Sequence, residues 1–582
     1  MNTLHNLLAS IEGQAFHNIH KLRGCYRFPG FELRFLKIQG SPGANPASIA
    51  SIKIALQDSQ LPEEFFRSAE GKLAVADFLL RRFRQSIERF AQQNRGKDGS
   101  GSFNTIALSQ KMLSRDSVLF DDAAIYLRFI ISLPAKGPGG GVFDAEQAWI
   151  MLSQELTSMA EATFFYRHYD PQTRTLLRQF VDVQNTRAEI IRFMREHHLI
   201  AFIANGARLP RQSGIDDRPL MTERIKAFQS PPSLQVEIPL PENRSIIGMA
   251  IKEGVTCITG GGYHGKSTLM QAILAGVYAH IPGDGREYVV TRDDAFFIRA
   301  EEGRSIRDVD ISPFIGDLPN GLTTDCFSSD NASGSTSQAA TIIEAIESGS
   351  RLLLFDEDTC ATNFLVRDEL IKKILDAEQE PIKPLYSTMR SLWQKHRVSM
   401  IFVVGGLGYF LQKADVCLLM AHYRCEDITA KVRDRLGPIT EEAAPIADFA
   451  GSRRLAVDNF DPAYINQRLN KTLPKRIKDL RNAPRQLEYG MDLINLDAVA
   501  QIAEAPQILT IGYCLLALRA QLKQADSKPE TIRFWIDWLE DKIDRYGLAV
   551  LEPDYPGTLS KPRKYELAAA INRIRSLRIF QQ

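Results

Sequence analysis

The seven cysteines, at positions 25, 257, 326, 360, 417, 425 and 514, include no Cys-x-x-Cys pair. That spacing argues against a zinc site and a disulfide framework, and it fits a reducing compartment, here read as the cytoplasm. An excess of charge of one sign is also missing. The chain has 71 Lys and Arg against 70 Asp and Glu, a formal net charge of +1. The whole-molecule field therefore draws in no polyanion, and such a contact would need a local patch. No apolar run is long enough to span a bilayer, so no membrane domain is expected. Met1–Phe16 lacks a basic start followed by an apolar stretch and does not read as a signal peptide. The histidines show no metal-ligand spacing, and the adjacent His197 and His198 would point about 100° apart on a helix.

At 582 residues the chain exceeds one core and implies roughly two to four domains. Residues 1–230 mix helical patterns (Ala74–Gln92, Phe143–Tyr166, Arg174–His197) with strand-like stretches (Phe31–Ile38, Ile49–Leu56, Ala124–Leu133), an α+β pattern. The paired prolines of Gln229-Ser230-Pro231-Pro232-Ser233 mark a junction. Residues 231–430 alternate strands and helices, which implies a mostly parallel sheet. Residues 431–582 read as mainly helical, for example Ala498–Ala525 and Lys528–Tyr546.

Residues 260–268 read Gly260-Gly261-Gly262-Tyr263-His264-Gly265-Lys266-Ser267-Thr268. Gly260, Gly265, Lys266 and Ser267 fill the defining positions of a phosphate-binding loop. The β-branched run Gly254–Thr259 precedes it and the helix-like run Leu269–Leu274 follows. Strand, glycine loop and helix together aim backbone N–H groups and a positive helix end at a phosphate. After Arg351, the apolar run Leu352–Phe355 ends in Asp356-Glu357, a Walker B pattern. There Asp356 would hold Mg²⁺ near Ser267, and Glu357 would polarise the attacking water. Between the two lies Asn331-Ala332-Ser333-Gly334-Ser335-Thr336, small hydroxyl and glycine residues at a helix start. Such a start makes a second anion site, and Ser333 precedes Asp356 by 23 residues.

These three blocks together resemble the soluble ATPases of the ABC class, which are distinct from transporter cassettes. Asp310–Ile315, Val403–Gly406, Ala201–Gly206 and Leu209–Gly214 agree with the same family. The resemblance implies an α/β fold: an ABC-type P-loop core with a mostly parallel sheet, flanked by an α+β N-terminal domain and a mainly helical C-terminal region. It implies ATP and Mg²⁺ as cofactors and a homodimer with two composite sites. Each site would join the Walker elements of one chain to Ser333, Gly334 and Ser335 of the other. Asn363, Gly405 and Gly406 belong to the implied nucleotide site. The family also carries an association with RNA binding.

The chain departs from the general ABC pattern in several places. No glutamine stands near Asp310–Asp317, where a Q-loop is expected, and no aromatic residue lies between Gln229 and Gly262 to stack on a base. Gly405-Gly406 replaces a switch histidine, and the segment Cys360-Ala361-Thr362-Asn363 ends in Asn where Asp is usual. These departures point to slow hydrolysis and leave base identity open. His264 reads either as a phosphate contact or as a solvent-facing loop residue.

A basic segment carries Arg468, Lys471, Lys475, Arg476, Lys478, Arg481 and Arg485, flanked by Tyr464 and Tyr489. It suits a nucleic-acid backbone with base stacking, and it equally suits a solvated helix face. Two weaker basic groups are Arg81, Arg82, Arg84 and Arg89 with Arg95 and Lys97, and Lys561–Lys564 with Arg573, Arg575 and Arg578. The leading expectation is a dimeric ATPase (a hydrolase) that acts with RNA or another nucleic acid. The alternative is a nucleotide-gated scaffold for a protein partner.

Overall fold

The computed structural model describes the chain apart from residues 1, 42–46, 93–99, 138–139, 224, 317, 320, 369–373, 375–379, 440–445, 447–452, 457–458, 461–476, 481–482, 491, 525–528, 552–556 and 581–582. For 477–480 and 483–484 it describes the backbone alone. The chain forms two compact units, Met1–Asn185 with Arg545–Lys561 and Thr186–Asp544 with Pro562–Gln582.

The first unit is built on an antiparallel sheet in the order Cys25–Phe28, Phe31–Lys37, Ser48–Ala55, Ala124–Ser132, Ser102–Asn104, with Val118–Phe120 also paired to Ala124–Ser132. The three strand-like stretches read from the sequence are its longest strands. The helix Ala69–Phe90 begins at Ser68, whose side chain accepts the Gly71 N–H. Its buried residues Ala74, Val75, Phe78, Leu79 and Phe83 recur every three to four positions, so one face meets the core. Phe83 packs on Phe129 of the sheet, ring centroids 5.4 Å apart.

Of the cationic face expected on this helix, Arg81 and Arg82 are committed internally, while Arg84 and Arg89 are exposed. Arg81 donates to Asp77 (2.6 Å) and to the carbonyls of Ser109 and Lys111. Arg82 donates to the Ala162 carbonyl at 2.6 Å and lies over the Tyr169 ring. Arg84 sits 4.0 Å from Glu88, and Arg89 lies over Phe90. Arg95 and Lys97 fall outside the described residues.

In the same unit Asp116 is buried and accepts the N–H groups of Gly557 and Leu559 at 2.9 and 2.8 Å. Burial pushes its carboxyl up to about 6, against the pull of those two N–H groups and of Arg128. The folded unit therefore keeps a proton that the unfolded chain releases above its ordinary value of 3.8. Stability from this group is full below that value and is lost as pH rises through about 6. Urea unfolding between pH 4 and pH 7 should show this decline in wild type and a flatter profile in Asp116→Asn. Parallel profiles would exclude Asp116 as the source.

The second unit holds the phosphate loop. Its main sheet comprises β1 (Val255–Thr259), β2 (Ala295–Ile298), β3 (Leu352–Asp356), β4 (Ser399–Val403), β5 (Val416–Ala421) and β6 (Arg424–Asp427). The spatial order is β2-β3-β4-β1-β5-β6, parallel throughout except for the β5–β6 hairpin. The central strands are mostly apolar because both faces are buried. Helix α1 (Lys266–Ala275) follows β1, and helix α2 (Gly334–Glu347) precedes β3.

A second, antiparallel sheet runs Gln235–Leu240, Arg244–Lys252, Leu199–Ala204, Val289–Thr291. Leu199–Ala204 precedes the Pro231-Pro232 junction in sequence yet pairs on both sides with strands that follow it.

The C-terminal region is helical, with Ala505–Gln524, Ile532–Tyr546 and Lys564–Ile571. It also contains a three-stranded sheet, Ile477–Leu480, Ala483–Tyr489 and Asp492–Asn495, that the helical reading of this region missed. The region covers the open edge of the main sheet. The Gln501 side chain accepts the Phe297 N–H at 3.1 Å and donates to the Ala295 carbonyl at 2.8 Å, satisfying backbone groups of β2.

Candidate nucleotide site

Parallel strands deliver their C-terminal ends to one edge of the sheet, and the loops there collect the chemistry. Across that edge the order is Arg299 after β2, Asp356-Glu357 after β3, Gly405-Gly406 after β4, the glycine loop after β1, and the His422-Tyr423 turn after β5.

The glycine loop needs its glycines. Gly260 has φ +143°, and a Cβ there would stand 2.2 Å from the Met420 carbonyl oxygen. Gly265 has φ +98° and caps helix α1. The Lys266 ammonium donates to the carbonyls of Gly260 and Gly261 at 2.7 and 2.9 Å, which holds the charge inside the curve of the loop. Gly261, Gly262 and Ser267 are exposed, and Thr268 is half-buried. Tyr263, at the loop tip with φ +61°, is 98% exposed. His264 is half-buried and tied to the next loop: its Nδ1 accepts the His422 N–H at 3.0 Å.

Asp356 is the last residue of β3 and is buried. Burial pushes its carboxyl up, against the Asp358 N–H and the charges of Arg299 and Lys266. A divalent cation would offset that burial cost. Ser267 and Asp356 are oxygen donors of the kind that, with phosphate oxygens and water, would suit Mg²⁺. Among the described residues no group of three His, Cys, Asp or Glu forms an all-protein metal cage.

Glu357 lies against the glycine pair. Its Oε2 accepts the N–H groups of Gly405 (2.7 Å), Gly406 (3.1 Å) and Leu407 (3.3 Å). A Cβ on Gly406 would press to 3.2 Å from Glu357 Oε1, and one on Gly405 would lie 3.9 Å from Lys266 Nζ. Three backbone donors thus fix the carboxylate against the loop after β4, in the place where the sequence lacks a switch histidine.

The segment before α2 forms a second cluster. Ser333 is the N-cap and accepts the Thr336 N–H. The Gly334 N–H donates to Glu302 Oε1 at 2.8 Å, and Ser335 Oγ donates to Asn363 Oδ1 at 2.8 Å. The buried Gln338 accepts the Ala361 N–H at 2.9 Å. The helix start and the loop after Glu357 are therefore one connected piece. Arg299 and Glu302 escaped the sequence reading because no motif marks them; only the parallel register of β2 beside β3 brings them here.

The basic candidates fare differently. Arg468, Lys471, Lys475, Arg476 and Arg481, with Tyr464, lie outside the described residues, and Lys478 is described by its strand backbone alone. Arg485 turns inward, donating to the Val499 and Ile502 carbonyls at 3.4 and 3.3 Å, and burial lowers its pKa. Tyr489 is buried with its hydroxyl on the Phe460 carbonyl, so it offers no stacking face. In the C-terminal group Arg563 pairs with Glu566, Lys564 with Asp537, Arg573 with Glu301, and Arg575 donates to the Asp330 carbonyl. Arg81, Arg82, Arg485, Arg563 and Arg573 are thus held by internal contacts, whereas Arg84, Arg89, Arg575 and Arg578 stay exposed.

No helix among the described residues is long and apolar enough to cross a membrane. Comparison with known proteins agrees with the geometry. Residues 173–448 match the ABC ATPase P-loop domain, residues 1–167 the N-terminal domain of the ATPases of the ABC class, and residues 481–580 the MRB1590 C-terminal domain. An uncharacterized protein of Methanocaldococcus jannaschii, MJ1628, is 35% identical over 182 residues, 30% of this chain and 40% of that protein. The chain thus spans well under half the length of that relative. With a phosphate loop, an acidic strand end and a capped helix start placed around one sheet edge, and with matched domains along most of its length, the chain belongs to the family of ABC-class ATPases.

Proposed function

We propose that the chain binds ATP with Mg²⁺ at Gly260–Thr268 and hydrolyses it slowly. In this reading Lys266 neutralises the β- and γ-phosphates and Ser267 and Asp356 hold the cation, which offsets charge on the transferred phosphoryl group. Glu357 orients and deprotonates the attacking water. The observation that carries the reading is the Glu357 carboxylate held by the N–H groups of Gly405, Gly406 and Leu407 at the sheet edge that carries the glycine loop.

The reading extends to a homodimer with composite sites, in which Ser333, Gly334 and Ser335 meet the γ-phosphate bound by the partner, and to a cycle coupled to RNA or another nucleic acid in a cytoplasmic setting. Residues 231–430 would form the core, with 1–230 and 431–582 as the regions that engage the ligand. In the single chain the Gly334 N–H is taken by Glu302. Closing the dimer requires that carboxylate to yield the donor to phosphate. Glu302→Ala should therefore strengthen ATP-dependent dimerisation, read by light scattering with and without Mg-ATP. A mass that stays monomeric with ATP in both Glu302→Ala and Glu357→Gln rejects the composite site.

A second reading, a nucleotide-gated scaffold for a protein partner, is favoured by the internal use of Arg81, Arg82, Arg485 and Arg563. The trapped Glu357→Gln protein, mixed with single-stranded RNA of assorted lengths, separates the two. Retention that weakens steeply with salt supports RNA; no retention at low salt leaves the scaffold.

A further inference from the structure

We infer that the base of the bound nucleotide is held by Tyr423, in a cleft on the β5 side of the glycine loop; this rests on the nucleotide reading above. The sheet order sets the direction of the ligand. Glu357 and the Gly405-Gly406 pair, which mark the γ-phosphate end, lie on the β3 and β4 side of β1. Loop β5–β6 lies on the other side. One strand spacing separates β4 from β1 and another separates β1 from β5, so the two groups stand about 10 Å apart across the loop. A nucleotide whose last phosphate is at Glu357 must carry its base away from that side.

Tyr423 is what it meets there. The residue occupies the β5–β6 turn with φ +64° and is 58% exposed. Its ring touches the glycine loop, with Cδ1 3.3 Å from where a Gly265 Cβ would stand. The turn is braced on both sides, by the His422 N–H on His264 Nδ1 and by Lys226 Nζ on the His422 carbonyl at 3.0 Å. Tyr423 also lines a cleft of about 780 Å³ with Lys226, Gln229, Pro231, Pro232 and Arg424. An exposed aromatic ring held in a left-handed turn, with proline rings in the same cleft and polar groups such as Ser230, Glu426 and Asp427 along it, gives a flat stacking face with hydrogen-bonding partners for a purine. The segment Gln229–Gly262 contains no aromatic to do this, and the hairpin supplies one from about 160 residues further along the chain.

The experiment compares Mg-ATP with Mg-tripolyphosphate, which has the phosphates without the base, by titration calorimetry. Tyr423→Ala should weaken ATP binding about tenfold, the scale of one lost base–aromatic stack, and leave tripolyphosphate binding unchanged. Tyr423→Phe should keep wild-type affinity for both. Equal weakening of both ligands by Tyr423→Ala would mean that the ring only props the loop, and no weakening of either would mean that the base lies elsewhere; each overturns the inference. A wild type that binds ATP no tighter than tripolyphosphate overturns it too while sparing the phosphate site. A wild type that binds neither removes the nucleotide reading itself.

Discussion

Glu357→Gln should lower ATP turnover by about two to four orders of magnitude while nucleotide affinity stays within about twofold. The reason is the geometry of the carboxylate. Oε2 accepts three backbone N–H groups from residues 405–407, and the amide oxygen of glutamine can keep the two shortest, those of Gly405 and Gly406. The loop after β4 therefore keeps its shape and Lys266 keeps its neighbours. What disappears is the base that takes a proton from water. Phosphate-release assays with saturating Mg-ATP, alongside equilibrium binding, check both halves. Turnover close to wild type would remove Glu357 from the chemistry. Loss of turnover together with loss of affinity would instead mean that the carboxylate is needed to hold the loop.

Asp77→Ala should destabilise the first unit by about 3–5 kcal/mol, the usual cost of removing one partner from a buried ion pair. Asp77 is buried and lies between two guanidinium groups, with Arg81 Nε at 2.6 Å and Arg115 on its other oxygen. Both arginines have further bonds to the Lys111 carbonyl. Without Asp77, two cations would share a site with only carbonyl dipoles to balance them. For a unit of this size the loss corresponds to a fall of roughly 6–20 °C in its melting temperature by scanning calorimetry. Asp77→Asn, which keeps an acceptor but removes the charge, should fall between wild type and Asp77→Ala. A drop of under about 1 kcal/mol in Asp77→Ala would show that the carbonyls alone satisfy the arginines.

The long elements of the fold were legible because their patterns are local. The helices at 69–90, 171–196 and 505–524 and the strands at 31–37, 48–55 and 124–132 follow apolar spacing that any window of the chain reveals. The sheet at 477–495 was missed because its strands are short and its charges suggest a helix face. Charge on its own misled for a related reason. A guanidinium counts the same in a sequence whether it faces solvent or ends on a carbonyl, as Arg82 and Arg485 do.

The sequence by itself marked out the segments proposed to hold phosphate and cation. Gly260, Gly265, Lys266 and Ser267 act within one loop, and Asp356-Glu357 ends one strand, so their spacing along the chain carries the information. Tertiary structure alone decided what surrounds them. The parallel register of β3 and β4 brings Gly405-Gly406 to Glu357, that of β2 brings Arg299 beside Asp356, and the β5–β6 hairpin sets Tyr423 against Gly265. These partners are joined through strand pairing between segments remote in sequence, and no local pattern records which strands become neighbours.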